Sequence, residues 1–221
     1  MSDYALVVGV AVALVGFVIG ATFIGAEWST KNVIAWLFWE PRRLRLMAAK
    51  LLALVSVAVA VSVLAQVAWF GAAHVLLHYR GLPVSSLGGQ ARHFWPHVLE
   101  AQVRAALLVV PAVLLGFGLA NLVRNTAASF GVGFVYFAVV ENIIRALDPD
   151  WEPYRFTTSV AAWVSNGGLT ALGKVAFDQR QGFVTARPIH VSNVHGGVTL
   201  IVFPAVILIA SLIVFKRRDI T

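Results

Sequence analysis

Four histidines stand in two pairs four residues apart, His74 with His78 and His93 with His97, a spacing that puts both imidazoles of a pair on one helix face. Imidazoles so placed can share a metal ion, and paired helical histidines can ligate haem, so a membrane haem or metal protein is one reading of the chain. Against it, no Glu completes a zincin pattern, and all four residues fall at or beyond an apolar helix end beside Tyr79, Arg80 and Trp95, where histidine is an ordinary interfacial residue. Two further pairs share the spacing, Glu100 with Arg104 and Glu141 with Arg145, with the acid first each time. Each pair is expected to neutralise itself on one helical face. Charges inside apolar helices are costly, so these four residues are either structural ion pairs at the interface or the polar lining at the outer end of a translocation path. The run Gly168-Leu-Thr-Ala-Leu-Gly173-Lys174 imitates a phosphate-binding loop, but Val175 stands where Ser or Thr must hold the metal ion. It is read as a coincidence of spacing.

The elements that must position these residues are membrane helices. Hydrophobic residues make up 59% of the chain and charged residues 12%, with a mean hydropathy of +0.83, whereas soluble domains are about 45–50% apolar and about 25% charged. A hydrocarbon core requires about 20 mostly apolar residues per helix. Five stretches qualify, at 4–25, 46–79, 101–123, 127–147 and 196–215. Their length is helical and shows no ten-residue dyad repeat of a barrel, so the fold class is all-α, a polytopic transmembrane helical bundle. With no repeat or Pro/Gly/Ser linker, 1–221 reads as a single domain. The first stretch has no basic leader and no small-residue cleavage site, so it is read as a retained helix. The second, if continuous, spans about 51 Å at 1.5 Å per residue, and part of it must project beyond the hydrocarbon.

A net charge of +7 invites a nucleic-acid reading, but the cations sit beside helix ends, where headgroups and orientation account for them. No nucleic-acid partner is expected. Lys31, Arg42, Arg43 and Arg45 in segment 26–45, and Lys216, Arg217 and Arg218 in the tail, place both regions in the cytoplasm by the positive-inside bias. Five crossings then put the tight Arg124-Asn125-Thr126 turn inside and the 80–100 and 148–195 loops outside. An exterior N-terminus so close to the first helix hints at a preceding helix absent from this chain. The absence of cysteine excludes disulfides and thiol chemistry.

Several residues are expected to shape the bundle. Gly9, Gly16 and Gly20 allow a close helix approach, within the bundle or to another helix. Pro111 and Pro204 predict kinks, and Asn121 predicts an interhelical hydrogen bond near the cytoplasmic end. The outer loop 148–195 carries Trp151, Tyr154, Phe156 and Trp163, enough apolar surface for a re-entrant or surface-lying helical hairpin over 156–172. Such a hairpin could gate an exit.

Segment 26–45 combines Trp28, Trp36 and Trp39 with Lys31 and the Arg cluster, and Pro41 interrupts it. One reading is an interfacial helix with Trp anchors and snorkelling Arg on membrane lipid; the other is a coupling helix seated on a cytoplasmic partner. Gly25-Ala26-Glu27-Trp28, Thr30, Leu37, Pro41-Arg42-Arg43 and Ala49-Lys50-Leu51 resemble the first cytoplasmic connector of type 2 ABC transporter permeases. Arg124-Asn125-Thr126-Ala127-Ala128, Gly131, the Glu141 region and the ending Phe215-Lys216-Arg217-Arg218-Asp219 are similar to that family's later turn, helix and C-terminal cap. The chain departs from the pattern in two places: it has five helices where the family has six, and Ser29-Thr30 stands where the family prefers Gly-Thr. The resemblance implies a non-enzymatic permease subunit of an ATP-driven exporter in a bacterial plasma membrane, C-terminus cytoplasmic, exporting an amphipathic or hydrophobic compound. It implies cytoplasmic ATPase subunits that bind the ATP and Mg, and a second permease, identical or related. Glu27, Trp28, Thr30, Trp36, Arg42 and Arg43 would form the docking segment. A non-transporting membrane scaffold or sensor subunit is the remaining alternative.

Overall fold

The computed structural model describes residues 2–30, 43–81, 91–178 and 183–217. Five helices long and apolar enough to cross a membrane run over Leu6–Ser29, Leu44–Leu76, Pro96–Val123, Thr126–Leu147 and Asn193–Arg217. The chain is a multi-pass, all-α membrane bundle, as the apolar stretches require. Trp36 and Arg42 lie outside the described residues.

Helix α1 (Ser2–Ser29) and helix α2 (Arg43–Tyr79) both run farther into segment 26–45 than hydropathy alone suggests. Glu27 and Trp28 therefore sit on the last turn of α1, and Arg43 opens α2. At 37 residues, α2 spans about 55 Å. Its final turns, from Gly71 onward, are largely exposed. Ser62 holds its middle to the next helix by donating to the Ala106 carbonyl at 2.9 Å.

Pro111 breaks the third span as expected. Proline has no N–H for the carbonyl one turn back, and its ring crowds that carbonyl. The chain answers three residues earlier, where Leu108 N–H tightens onto the Ala105 carbonyl at 3.2 Å. The break separates α3 (Ala91–Leu107) from α4 (Val109–Val123). Helix α4 buries Val113, Leu115, Phe117 and Ala120, and it packs against α1, α2 and α8. A helix apolar all round belongs at the centre of a bundle.

Helix α4 ends at Arg124, whose φ of 55° is left-handed. Asn125 then caps α5 (Thr126–Val135) by accepting from Ala128 N–H at 3.0 Å, which closes the tight turn predicted from its sequence. The same span continues through a π segment, Tyr136–Val140, into α6 (Glu141–Leu147).

The 148–195 loop corrects the expected helical hairpin over 156–172. A 3-10 turn, Pro149–Tyr154, leads to one short helix, α7 (Phe156–Val164), and then to an antiparallel hairpin of β1 (Leu169–Asp178) and β2 (Phe183–Val191). Gly167 and Gly168, at φ of 81° and 88°, turn the chain out of the helix. The strands that follow are rich in Val, Thr and Phe, which suit extended backbone. The P-loop imitation thus lies on a strand of an antiparallel hairpin, away from any helix N-terminus. Helix α8 (Asn193–Arg217) closes the bundle. Asn193 Nδ2 ties its start to α7 by donating to the Ala162 and Ser165 carbonyls, both at 2.6 Å.

Glycines set the tightest contact. A Cβ on Gly20 would stand 2.5 Å from the Val113 carbonyl oxygen, and one on Gly9 would stand 2.8 Å from the Ala105 Cβ. Gly9, Gly16 and Gly20 of α1 are therefore spent on α3 and α4 within the bundle.

Candidate functional site

Three chain segments that are far apart in sequence meet at one end of the bundle. Glu27, on the last turn of α1, is ion-paired with Lys50 of α2 at 2.5 Å, both side chains mostly buried. Next to it, Trp28 Nε1–H donates to Asn121 Oδ1 on α4 at 3.0 Å, and Asn121 Nδ2 donates onward to Ser211 Oγ on α8 at 2.7 Å. The Trp28 indole meets the Phe215 ring edge-on at 5.9 Å between centroids. The Arg124 guanidinium lies 4.5 Å over the same indole, within cation–π range. Gly25 abuts Thr126 so closely that a Cβ there would collide with the threonine side chain. The start of segment 26–45, the 124–126 turn and the basic end of α8 therefore share one end. We call this arrangement the basal clasp.

Asn121 performs the interhelical role expected of it. Lys50 and Arg124 were missed as site residues, although both flank runs whose charge pointed to this end. Thr30 donates its hydroxyl to the Ala26 carbonyl at 2.9 Å and finishes α1. Arg43 begins α2, with its side chain outside the described residues.

The opposite end holds a second polar cluster, and here one expected pair does not form. Glu100 and Arg104 do pair along α3, and Arg104 also lies 5.7 Å over the Trp163 ring of α7. Glu141 does not pair with Arg145. Its side chain is fully buried and its carboxylate accepts from Phe156 N–H at 2.8 Å, from Thr157 N–H at 3.3 Å and from the Thr157 hydroxyl, with Arg155 3.8 Å away. Arg155, the residue before α7, makes no side-chain cap, so Glu141 supplies from another helix the anion that the first turn of α7 needs. Arg145 is exposed and stands 3.8 Å from Glu152 instead. The i,i+4 spacing was overridden because free N–H groups of a buried helix start offer a carboxylate more than an exposed guanidinium does. Arg155 joins the two acids, donating to Glu152 at 2.7 Å and facing Glu141. Glu152, Arg155 and Thr157 were not foreseen as site residues; a loop carrying equal numbers of acids and bases gave no hint of which would pair.

Burial alone would push the Glu152 carboxyl up, but hydrogen bonds from Arg155 and Thr158 outweigh it and hold the group below the ordinary glutamate range. Asp148 is also held low, first by the Lys174 ammonium that donates to it at 3.0 Å and then by Asp150 N–H. Lys174 is raised by the same bond. These links fasten the β-hairpin to the 3-10 turn. A depressed carboxyl stabilises the fold above its unfolded pKa, about 4, and that contribution is lost as pH falls through the lower folded value. A raised lysine stabilises below its unfolded pKa, about 10.4, and loses that contribution as pH rises through the higher folded value. Hairpin protection from proteolysis should therefore be level between about pH 5 and 9 and fall below about pH 4. Lys174→Ala should flatten that acid limb; an unchanged limb would mean Asp148 does not anchor the hairpin.

Between the two ends lies a lateral groove of about 520 Å³, lined from α1, α4, α5, the π segment, α7 and α8, with Thr157 among otherwise apolar residues. The remaining candidates are dispersed. His74 and His78 are exposed on α2 and His97 is exposed on α3, while the His93 side chain is outside the described residues. Among the described residues, no group of three His, Cys, Asp or Glu converges as a metal site would require.

No protein-family description, no curated protein and no solved structure matches the chain.

Proposed function

We propose that this chain is the membrane-spanning permease subunit of an ATP-driven transporter of the type 2 ABC kind. The basal clasp carries the reading. A force applied to segment 26–45 would enter at Glu27 and Trp28 and reach α2 through Lys50, α4 through Asn121 and Arg124, and α8 through Ser211 and Phe215. Such a joint suits a subunit moved from outside itself. The movers would be cytoplasmic ATPase subunits holding ATP and Mg, with a second permease across the path. The clasp end and the C-terminus would face the cytoplasm of a bacterial plasma membrane, and the cargo would be an amphipathic or hydrophobic compound leaving the cell.

The test is gentle-detergent purification with identification of partners, followed by spin labels placed at Ser29 and Thr170. An ATPase should co-purify, and nucleotide should change the distance between labels. Glu27→Ala and the Arg42→Ala/Arg43→Ala pair should keep membrane insertion and ATP hydrolysis but weaken the coupled movement by about 5- to 150-fold. Recovery of the chain without any ATPase would instead favour a scaffold or sensor. Labelling of a cysteine at Ser29 from outside intact cells would overturn the orientation and the reading together.

A further inference from the structure

We infer that the lateral groove binds one alkyl chain of a bilayer amphiphile, with its polar end at Thr157. The inference deepens the transport reading by giving the hydrophobic cargo a place, while the site itself stands on geometry alone. The groove lies among spanning helices, in the half of the bundle away from the basal clasp, and Val10, Leu14 and Phe134 leave its side open to lipid. Its volume of about 520 Å³ falls within the range of about 300–1,000 Å³ typical of small-molecule sites.

Another helix fits poorly. Helices in lipid associate through small residues that let backbones approach, and a helix with its side chains is about 10 Å across. The small residues of the groove, Ala13, Ala112 and Ala161, come one each from α1, α4 and α7, and Gly133 of α5 is covered by the Phe17 ring, so no single helix presents a stripe of them between Leu14, Phe130 and Phe134. A flexible chain of methylenes can thread between such bulky walls. At the polar end, the Thr157 hydroxyl donates to Glu141 and its oxygen keeps capacity to accept from a headgroup. Glu141 and Glu152 are balanced there by Arg145 and Arg155, so the site has no net charge with which to select a headgroup. Selection falls on the chain.

The experiment places the purified full chain in phosphatidylcholine vesicles doped with phosphatidylcholine that bears a diazirine on one acyl chain, and maps the adducts by mass spectrometry. Adducts should concentrate at Leu14, Phe134 and Val160, saturate, and be displaced by palmitoyl lysophosphatidylcholine. An uncharged sugar-headed amphiphile of the same chain length should displace them equally. Ala161→Trp, which projects into the groove, should cut groove labelling about tenfold, with labelling at the lipid-facing Leu64 and Val67 of α2 unchanged. Val10→Trp fills the groove from the opposite wall and replaces Ala161→Trp if circular dichroism shows that variant misfolded. Groove adducts that rise linearly with probe and ignore both fillings would reduce the site to annular lipid and overturn the inference. So would disulfide-linked copies formed through Leu14→Cys in this otherwise cysteine-free chain, since a second copy would then occupy the groove. The assay needs no ATPase, so its failure and that of the transport reading are separately visible.

Discussion

Glu141→Ala should destabilise the protein by about 3–5 kcal/mol, the cost of removing one partner from a buried, hydrogen-bonded ion pair. The carboxylate is fully buried and it alone satisfies the Phe156 and Thr157 N–H groups at the start of α7. Its removal also leaves Arg155, itself 9% exposed, leaning on Glu152 alone. Native domains are stable by only about 5–15 kcal/mol, so α7 and the hairpin it supports should loosen well before the rest of the bundle. Thermal unfolding in detergent, with hydrogen exchange across 150–191, reports the loss and its location. Glu141→Gln keeps an acceptor and should fall between the two. The triple change Glu141→Ala/Glu152→Gln/Arg155→Leu should recover part of the loss, because both buried acids and the base between them are then removed and no buried charge is stranded. A single Glu141→Ala variant within about 0.5 kcal/mol of the parent, the scatter of ordinary surface changes, would show that the carboxylate caps nothing.

Gly116→Val should cost about 1–3 kcal/mol or more, because overpacking here forces backbone apart and no side-chain rotamer can relieve it. A Cβ at Gly116 would collide with the Phe17 carbonyl oxygen and stand 2.9 Å from Ala21 N. Both are backbone atoms of α1, so the whole helix must shift. Gly131, with open space around its own Cβ position, is the matched control on α5. Gly131→Ala should be neutral or mildly stabilising, since a helical glycine is worth about 1 kcal/mol less than alanine. Equal melting temperatures for the two variants would refute the close α1–α4 contact.

The fold was legible wherever a single dominant cost decided it. Apolar runs with no water to satisfy their backbone had to become helices, and all five did so. The Pro111 break, the Asn125 cap and the Asn121 hydrogen bond follow from local chemistry that a residue carries with it. Partner choice was not legible, because it depends on which helices become neighbours. Glu141 had Arg145 one turn away in sequence and chose the start of α7, fifteen residues on. Glu27 found Lys50. The 156–172 stretch was read as a helical hairpin from its apolar content, but Gly167 and Gly168 turn the chain out of the helix at positive φ, and the residues beyond them pair as strands, a choice made by the partner strand rather than by composition. At the candidate site, Glu27 and Trp28 were foreseen, whereas Arg124 was seen only as part of a turn.

The π segment at 136–140 changes how the fourth span must be read. One extra residue in a turn advances everything downstream by about 100° of rotation. Val139 and Val140 face outward while Glu141 is sealed inside. A helical wheel drawn at uniform pitch from Thr126 is therefore out of phase beyond Val135, and aligning this span by pitch would misassign its inward face. The bulge acts as an angular offset that lets a lipid-compatible surface and an interior carboxylate coexist on one continuous rod.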